Sequence, residues 1–320
     1  MEMRVGKARQ LVPLLLATAG LLFIFRLWVP NLLTSENLVD LTQQISVNAI
    51  LAFGMTLVIL IGGIDLSVGA LLAIVGTTSV YVLTMHHPGA QHAGWTSAAI
   101  LAGLGVACAF GVFNGLCAAK TQMPPFIITL ATMLLARGMA LRFNEGRPMP
   151  IPDAQSVFLS LGNGRLFGVV PVPVAVMIAV FLLVSVLLHF TLFGRHLYGI
   201  GGNREAARLS GIPVARATVI VYAICAVLAG LAGIIQTAQL YSAEPASGVG
   251  FELNAIAAVV VGGTSFSGGI GTMPGTLIGA VIIGILDKGL NQAGVHFSLQ
   301  YMVKGLVILG AVYMDVRRRK

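Results

Sequence analysis

Charge is what this sequence lacks. Among 320 residues there are 11 acidic and 19 basic side chains, so only 9% of the chain is charged. A soluble globular domain carries about a quarter. With 57% hydrophobic residues, the chain cannot cover its surface with polar groups, and its solvent must be lipid. Cysteine is also scarce: Cys108, Cys117 and Cys225 each sit inside an apolar run, without a CxxC pair. That excludes a disulfide framework or a thiolate metal centre and leaves three small buried hydrophobes. No GxxxxGK[ST] occurs, so the chain has no loop to cradle nucleotide phosphates. The net charge of +8 does not point to nucleic acid, because the basic residues lie in short clusters between apolar runs and read as topology signals.

What is present is a succession of apolar runs. A span needs about twenty mostly apolar residues, and that ruler predicts an all-α polytopic membrane protein of about ten helices. They fall near 11–30, 41–61, 66–84, 97–119, 126–143, 171–193, 216–238, 252–264, 274–290 and 299–314, the span at 252–264 being short. The N-terminus, MEMRVGKARQ before LVPLLLATAGLLFIF, starts like a signal peptide. Its apolar stretch is long and lacks a small-residue cleavage site, so it reads as a retained first span. Ten spans put both termini on one side. Cytoplasmic segments then hold Arg4, Lys7, Arg9, Lys120, Arg195, Arg204, Arg208, Arg216 and residues 317–320, whereas external ones hold Arg142, Arg147 and Arg165. Twelve cations against three agree with the positive-inside rule. No soluble domain is expected, and residues 1–320 form one membrane domain.

Two glycine-broken segments interrupt the runs. Shifting the chain by 206 residues lays 47–72 on 253–278, with Asn48 on Asn254, Gly62-Gly63 on Gly268-Gly269 and Asp65 on Gly271. Transporters are often built from such repeats, with the substrate path at their interface. Asp65, in GGIDLSVG, is a carboxylate amid more than thirty apolar residues. It can cap the helix that follows, with Gly62 and Gly63 supplying the tight turn. It can instead line a substrate path, or belong to a proton relay, for which few chained ionisable groups exist. Gln43, Gln44, Asn48, Thr56, Asp65, Ser67, Asn254, Thr264 and Ser265 bracket the breaks. They are candidates to line a pore for a neutral polyol, or to hydrogen-bond between helices. Arg26, Asp287 and Lys288 lie near span ends, where long side chains reach water, and Lys304 can pair with Asp287 across helices. The histidines of 86–92 lack a carboxylate or cysteine and read as a solvated loop, not a metal site.

The segment NREAARLSG at 203–211 predicts a short helix in a cytoplasmic loop. Asn203 is its N-cap, Glu205, Ala206 and Ala207 its first-turn residues, and Gly211 its stop. Arg204 and Arg208, four apart, are expected to share one face. Mere connection of two spans needs no such helix, so it suggests a docking element.

Glu205-Ala206-Ala207 followed by Gly211 resembles the cytoplasmic loop motif of bacterial ABC importer permeases. Together with FGRHLYGIGGNREAARLSGI, NAILAFGMTLVILIGGIDLSVGALLA and ELNAIAAVVVGGTSFSGGIG, it is similar to the permeases of ribose-type sugar importers, over about residues 35–314. The resemblance implies the permease fold and a pore made by paired permeases, a homodimer or a pair of related chains, in the bacterial inner membrane. It implies a periplasmic sugar-binding protein on one side and, on the other, a cytoplasmic ATPase of two fused nucleotide-binding halves that would hold ATP and magnesium. This chain itself would hold no cofactor. Asn203, Arg204, Glu205, Ala206, Ala207, Arg208 and Gly211 would form the coupling helix. Ribose, xylose, arabinose, galactose, an inositol or a furanose signalling sugar are the expected cargoes. A secondary transporter is the alternative, opposed by the docking loop and the few intramembrane carboxylates. An intramembrane enzyme would need a paired catalytic constellation, and His189 and His296 fall at span ends without one.

Overall fold

A computed structural model describes residues 2–29, 31–86, 93–121, 123–152, 155–317. The histidine-bearing stretch 87–92 lies outside the described residues. The chain is helical throughout: α1 Glu2–Trp28, α2 Ser35–Leu60, α3 Val68–His86, α4 Ala93–Lys120, α5 Pro125–Arg142, α6 Ser156–Asn163, α7 Val172–Phe190, α8 Leu192–Gly202, α9 Arg204–Leu209, α10 Val214–Gln239, α11 Phe251–Val261, α12 Met273–Gln292 and α13 Phe297–Arg317. Among the described residues, strand is confined to two small antiparallel pairs. One joins β1 Met149–Pro150 to β4 Ser242–Ala243, and the other joins β2 Arg165–Leu166 to β3 Val170–Pro171.

Among the described residues, eight helices are long and apolar enough to cross a membrane: α1, α2, α3, α4, α5, α7, α10 and α12. The other two expected spans are shorter apolar helices, Phe251–Val261 and Phe297–Tyr313. At 11 residues α11 is about 16 Å long, too short for a hydrocarbon layer of about 30 Å. The 252–264 segment is therefore a half-length helix, stopped by Gly263 at φ +88°.

α2 is the core. Every residue from Ile45 to Leu60 is buried, as expected of a helix that is apolar all round. It packs against α7, α10, α11 and α12. Close approach of α4 and α10 depends on Gly111 and Gly115, four residues apart on one face. A Cβ at either would collide with the α10 backbone at Tyr222–Ala223 or Val219, so only glycine allows this packing. At the end of the molecule opposite α9, β1 and β4 tie the 143–152 and 240–250 segments together, and the Asn163 amide donates to the Ala238 carbonyl at 2.7 Å.

The 206-residue correspondence holds only loosely. Gly62, at φ +77°, closes α2 directly, whereas α11 is closed by Gly263. Gly268 and Gly269 lie in the longer connection to α12. The matching glycines do not occupy matching positions, although both breaks separate a buried helix from a second one.

Candidate translocation and coupling site

The segment before α10 is built by successive caps. Thr191 Oγ1 accepts from the Gly194 amide at 3.1 Å and starts α8. Asn203 then works in both directions. Its N–H donates to the Gly199 carbonyl at 3.1 Å, closing α8, and its Oδ1 accepts from the Ala206 amide at 2.9 Å, opening α9. Gly211, at φ +82°, ends the element, with the Ile212 amide returning to the Ala207 carbonyl at 3.1 Å. Only Ala207 of α9 is buried, and Leu209 is 77% exposed. Arg208 does not present its charge beside Arg204 in isolation. It grips Glu205, with Nη2 to Oε1 at 2.7 Å and Nε to Oε2 at 3.1 Å. That guanidinium holds the Glu205 carboxyl below the usual carboxylate range.

α8 sits directly on both glycine turns. A Cβ at Gly201 would overlap the Leu60 carbonyl oxygen and the Gly269 amide nitrogen, so three backbones meet there in contact. The Gly269 amide donates to the Leu60 carbonyl at 2.9 Å, locking the end of α2 to the loop before α12. Tyr198 on α8 donates its hydroxyl to the Gly271 carbonyl at 2.9 Å. Gly268 and Gly269 have φ of +82° and +74°, a conformation that L side chains disfavour. The two breaks and the α8–α9 segment thus form one junction.

Asp65 lies beside that junction and is fully buried. It stands three residues ahead of Val68, the first residue of α3, so it is not the N-cap itself. Its Oδ1 accepts from the Ser67 amide at 2.9 Å and from the Ser67 hydroxyl at 2.5 Å, an Asx-type turn leading into the helix. Asn114 of α4 donates to Ser67 Oγ at 3.2 Å, and Leu66 donates its amide to Thr129 Oγ1 of α5 at 3.1 Å. The corner is held from two neighbouring helices.

At the far end of α2 is an open cleft of about 380 Å³ between α2, α10, α11, α12 and α13, whose wall combines six side-chain amides with apolar residues such as Val47, Phe251 and Ile308. Gln44, Asn48, Gln236, Asn254, Asn291 and Gln300 reach it, along with Tyr301. Asp287 and Lys304 form an ion pair at 2.9 Å in its wall, as their cross-helix placement suggested, and Asn254 Nδ2 donates to Asp287 Oδ2 at 3.3 Å. Asn48 is 5% exposed, and its Oδ1 has no hydrogen-bond partner.

The candidate pore residues therefore divide into two groups. Gln44, Asn48 and Asn254 line the cleft. Gly62, Gly63, Asp65 and Ser67 lie in the α2–α3 connection; Thr264, Ser265, Gly268 and Gly269 lie in the α11–α12 connection at the junction. Twelve residues of α2, about 18 Å, separate Asn48 from Leu60. Thr56 belongs to neither group. It is fully buried, with its hydroxyl 2.8 Å from that of Thr276 on α12, and so joins two helices. Composition and breaks did not reveal Gln236, Asn291, Gln300 and Tyr301. A signal was present in the four-residue spacings Asp287–Asn291 and Gln300–Lys304, each of which puts two polar groups on one helix face.

A polytopic helical domain with an exposed, capped helix at one end and a polar cleft within the bundle has the parts of a membrane permease. Residues 37–312 match the family described as the permease component of the branched-chain amino acid transport system. The chain belongs to this permease family. It is 45% identical over 307 residues to the ribose import permease protein RbsC of Escherichia coli strain K12, covering 95% of this chain and 93% of the relative. It is also 45% identical over 298 residues to RbsC of Bacillus subtilis strain 168, covering 93% and 90%. To the L-arabinose transport system permease protein AraH of Escherichia coli strain K12 it is 35% identical over 307 residues, covering 96% and 90%. No solved structure matches the chain. Eight membrane-length helices and this membership make it a multi-pass inner-membrane protein.

Proposed function

We propose that this chain is the transmembrane subunit of an ATP-driven importer that carries ribose or a related monosaccharide into the cytoplasm by alternating access. The ribose and arabinose permeases, which match it over nearly their full lengths, support the sugar class. The relatives are transport proteins, not enzymes, and ATP with magnesium would be held by a separate cytoplasmic ATPase with two fused nucleotide-binding halves. A periplasmic binding protein would deliver the sugar, and a second permease, the same chain or a related one, would complete the pore. Both termini and α9 would face the cytoplasm.

The observation that carries the coupling role is the junction of Gly201 with Leu60 and Gly269. Force applied to α9 reaches α2 and the α11–α12 loop through backbone contact, with no flexible side chain between. Residues 203–211 would seat in the ATPase, and ATP-driven closure would shift α8 and both turns together.

The test uses Gly211→Pro and Glu205→Ala. Proline cannot adopt the φ of +82° at Gly211, and alanine removes the carboxylate that holds Arg208. Both variants are expected in the membrane at normal level, with reduced co-purification of the ATPase and reduced sugar uptake into reconstituted vesicles. Unchanged values in both assays overturn the docking assignment. Uptake by the permease alone, driven by a proton or sodium gradient, overturns the ATP-driven mechanism in favour of a secondary transporter.

A further inference from the structure

We propose that the amide-lined cleft is a binding site for one neutral monosaccharide, in which Asn48, Gln44 and Asn254 hydrogen-bond sugar hydroxyls beside the Asp287–Lys304 pair. This inference rests on the sugar-import reading and assigns it a place. Asn48 supplies a buried acceptor that nothing in the protein satisfies, at the wall of the cleft. Buried polar atoms without partners are costly and rare in folded proteins. This oxygen lies behind the wall, and a turn of the Asn48 amide toward the cleft would let a ligand hydroxyl supply the partner it lacks.

The chemistry of the wall selects the ligand class. Amides both donate and accept, as hydroxyls do. Asp287 and Lys304 cancel each other's charge at 2.9 Å, so the wall has no uncompensated charge with which to hold an ion. The pair still offers polar atoms to a neutral polyol. Tyr301, 57% exposed at the rim, adds a ring face for the C–H side of a sugar. A cleft of about 380 Å³ is near the lower end of the roughly 300–1,000 Å³ usual for small-molecule sites, which suits a single ring.

The same helices connect the cleft to the junction. α2 carries Asn48 toward one end and Leu60 at the other. α12 begins beside the Tyr198–Gly271 bond and carries Asp287 into the cleft. A shift of α8 would therefore move two walls of the sugar site as rigid bodies, coupling release to the ATPase.

The experiment uses the permease reconstituted with its ATPase and binding protein. Asn48→Leu and Gln44→Leu are measured for ribose uptake and for ATP hydrolysis stimulated by the loaded binding protein. In parallel, Gln300→Cys, made with Cys108, Cys117 and Cys225 replaced by alanine, is alkylated by a water-soluble maleimide with ribose, with glucuronate or with neither. Uptake is expected to fall about tenfold in Asn48→Leu, the scale of one lost ligand hydrogen bond, with stimulated hydrolysis preserved. Ribose, but not glucuronate, is expected to slow alkylation. Gln44 is exposed, so its variant and the alkylation decide the matter if Asn48→Leu fails to assemble. Wild-type uptake in both leucine variants, or alkylation indifferent to ribose, overturns the site while leaving the importer reading intact. No import of any neutral monosaccharide by the wild-type complex overturns the importer reading itself.

Discussion

Asp65 shows how a carboxylate can be fully buried among apolar helices without a cation. Its partners are the amide and hydroxyl of Ser67, two residues away, both on Oδ1, while Oδ2 has none; the bonded oxygen shapes the entry into α3. Asparagine keeps an acceptor oxygen in the same place. Asp65→Asn is expected to retain the fold and appreciable transport, whereas Asp65→Ala should lose about 1 kcal/mol, the scale of a lost cap. Thermal unfolding of the purified protein and sugar uptake check both, and complete loss of transport by a normally assembled Asp65→Asn would assign the carboxylate a direct role. Asp287 and Lys304 invite the opposite manipulation. Removing one partner leaves the other charge largely buried, so Lys304→Met should destabilise by up to the ~3–5 kcal/mol seen for broken buried pairs. Lys304→Met combined with Asp287→Leu should recover part of that loss. Denaturation of the single and double variants decides this; equal stability of the Lys304→Met variant and wild type would show that the pair adds nothing to the fold.

At the level of elements, the decisive feature is where α8 lands. Its Gly201 has backbone on two sides, the Leu60 carbonyl and the Gly269 amide, and neither can yield as a flexible side chain would. Gly201→Ala is expected to part α8 from at least one turn while leaving α9, within the segment 202–211 that follows the junction, able to reach its partner. The ATPase should then co-purify normally and hydrolyse ATP, with sugar uptake per ATP strongly reduced. Wild-type coupling in this variant would remove the junction from the mechanism. The capped α9 was legible in the sequence, because Asn203 and Gly211 act within a few residues of themselves. Its exposed ion pair was not, since Glu205 has both Arg204 and Arg208 near it in sequence and only the side-chain geometry chose Arg208.

For the whole molecule, the charge distribution and the architecture agree. Lys120 ends α4 near the start of α10, because Gly115 packs on Val219, and Arg195, Arg204, Arg208 and Arg216 lie in the same end of the chain's path. Arg142, Arg147 and Arg165 lie near the opposite end, where β1 meets β4 and Asn163 bonds Ala238. Cysteines introduced at Arg208 and Arg165 in a cysteine-free background should therefore label from opposite faces of the membrane, Arg208 from the cytoplasm. Labelling of both from one face would contradict the topology.

The sequence by itself determined the solvent, the helical class, the approximate positions of the spans, the capped loop helix and the family resemblance. These follow from composition, from runs measured against a bilayer, and from motifs whose parts lie within about ten residues. Tertiary structure alone decided which polar residues share a cleft, that Thr56 joins helices instead of lining a path, and that the two glycine breaks meet at Gly201. Such contacts join residues far apart in the chain, as Leu60 and Gly269 are, and their geometry depends on how close two backbones can pack. No local pattern carries that information. The half-length of α11 has the same origin: an apolar run measures hydropathy, while the end of a helix is set by the residue that turns left-handed, here Gly263 at φ +88°.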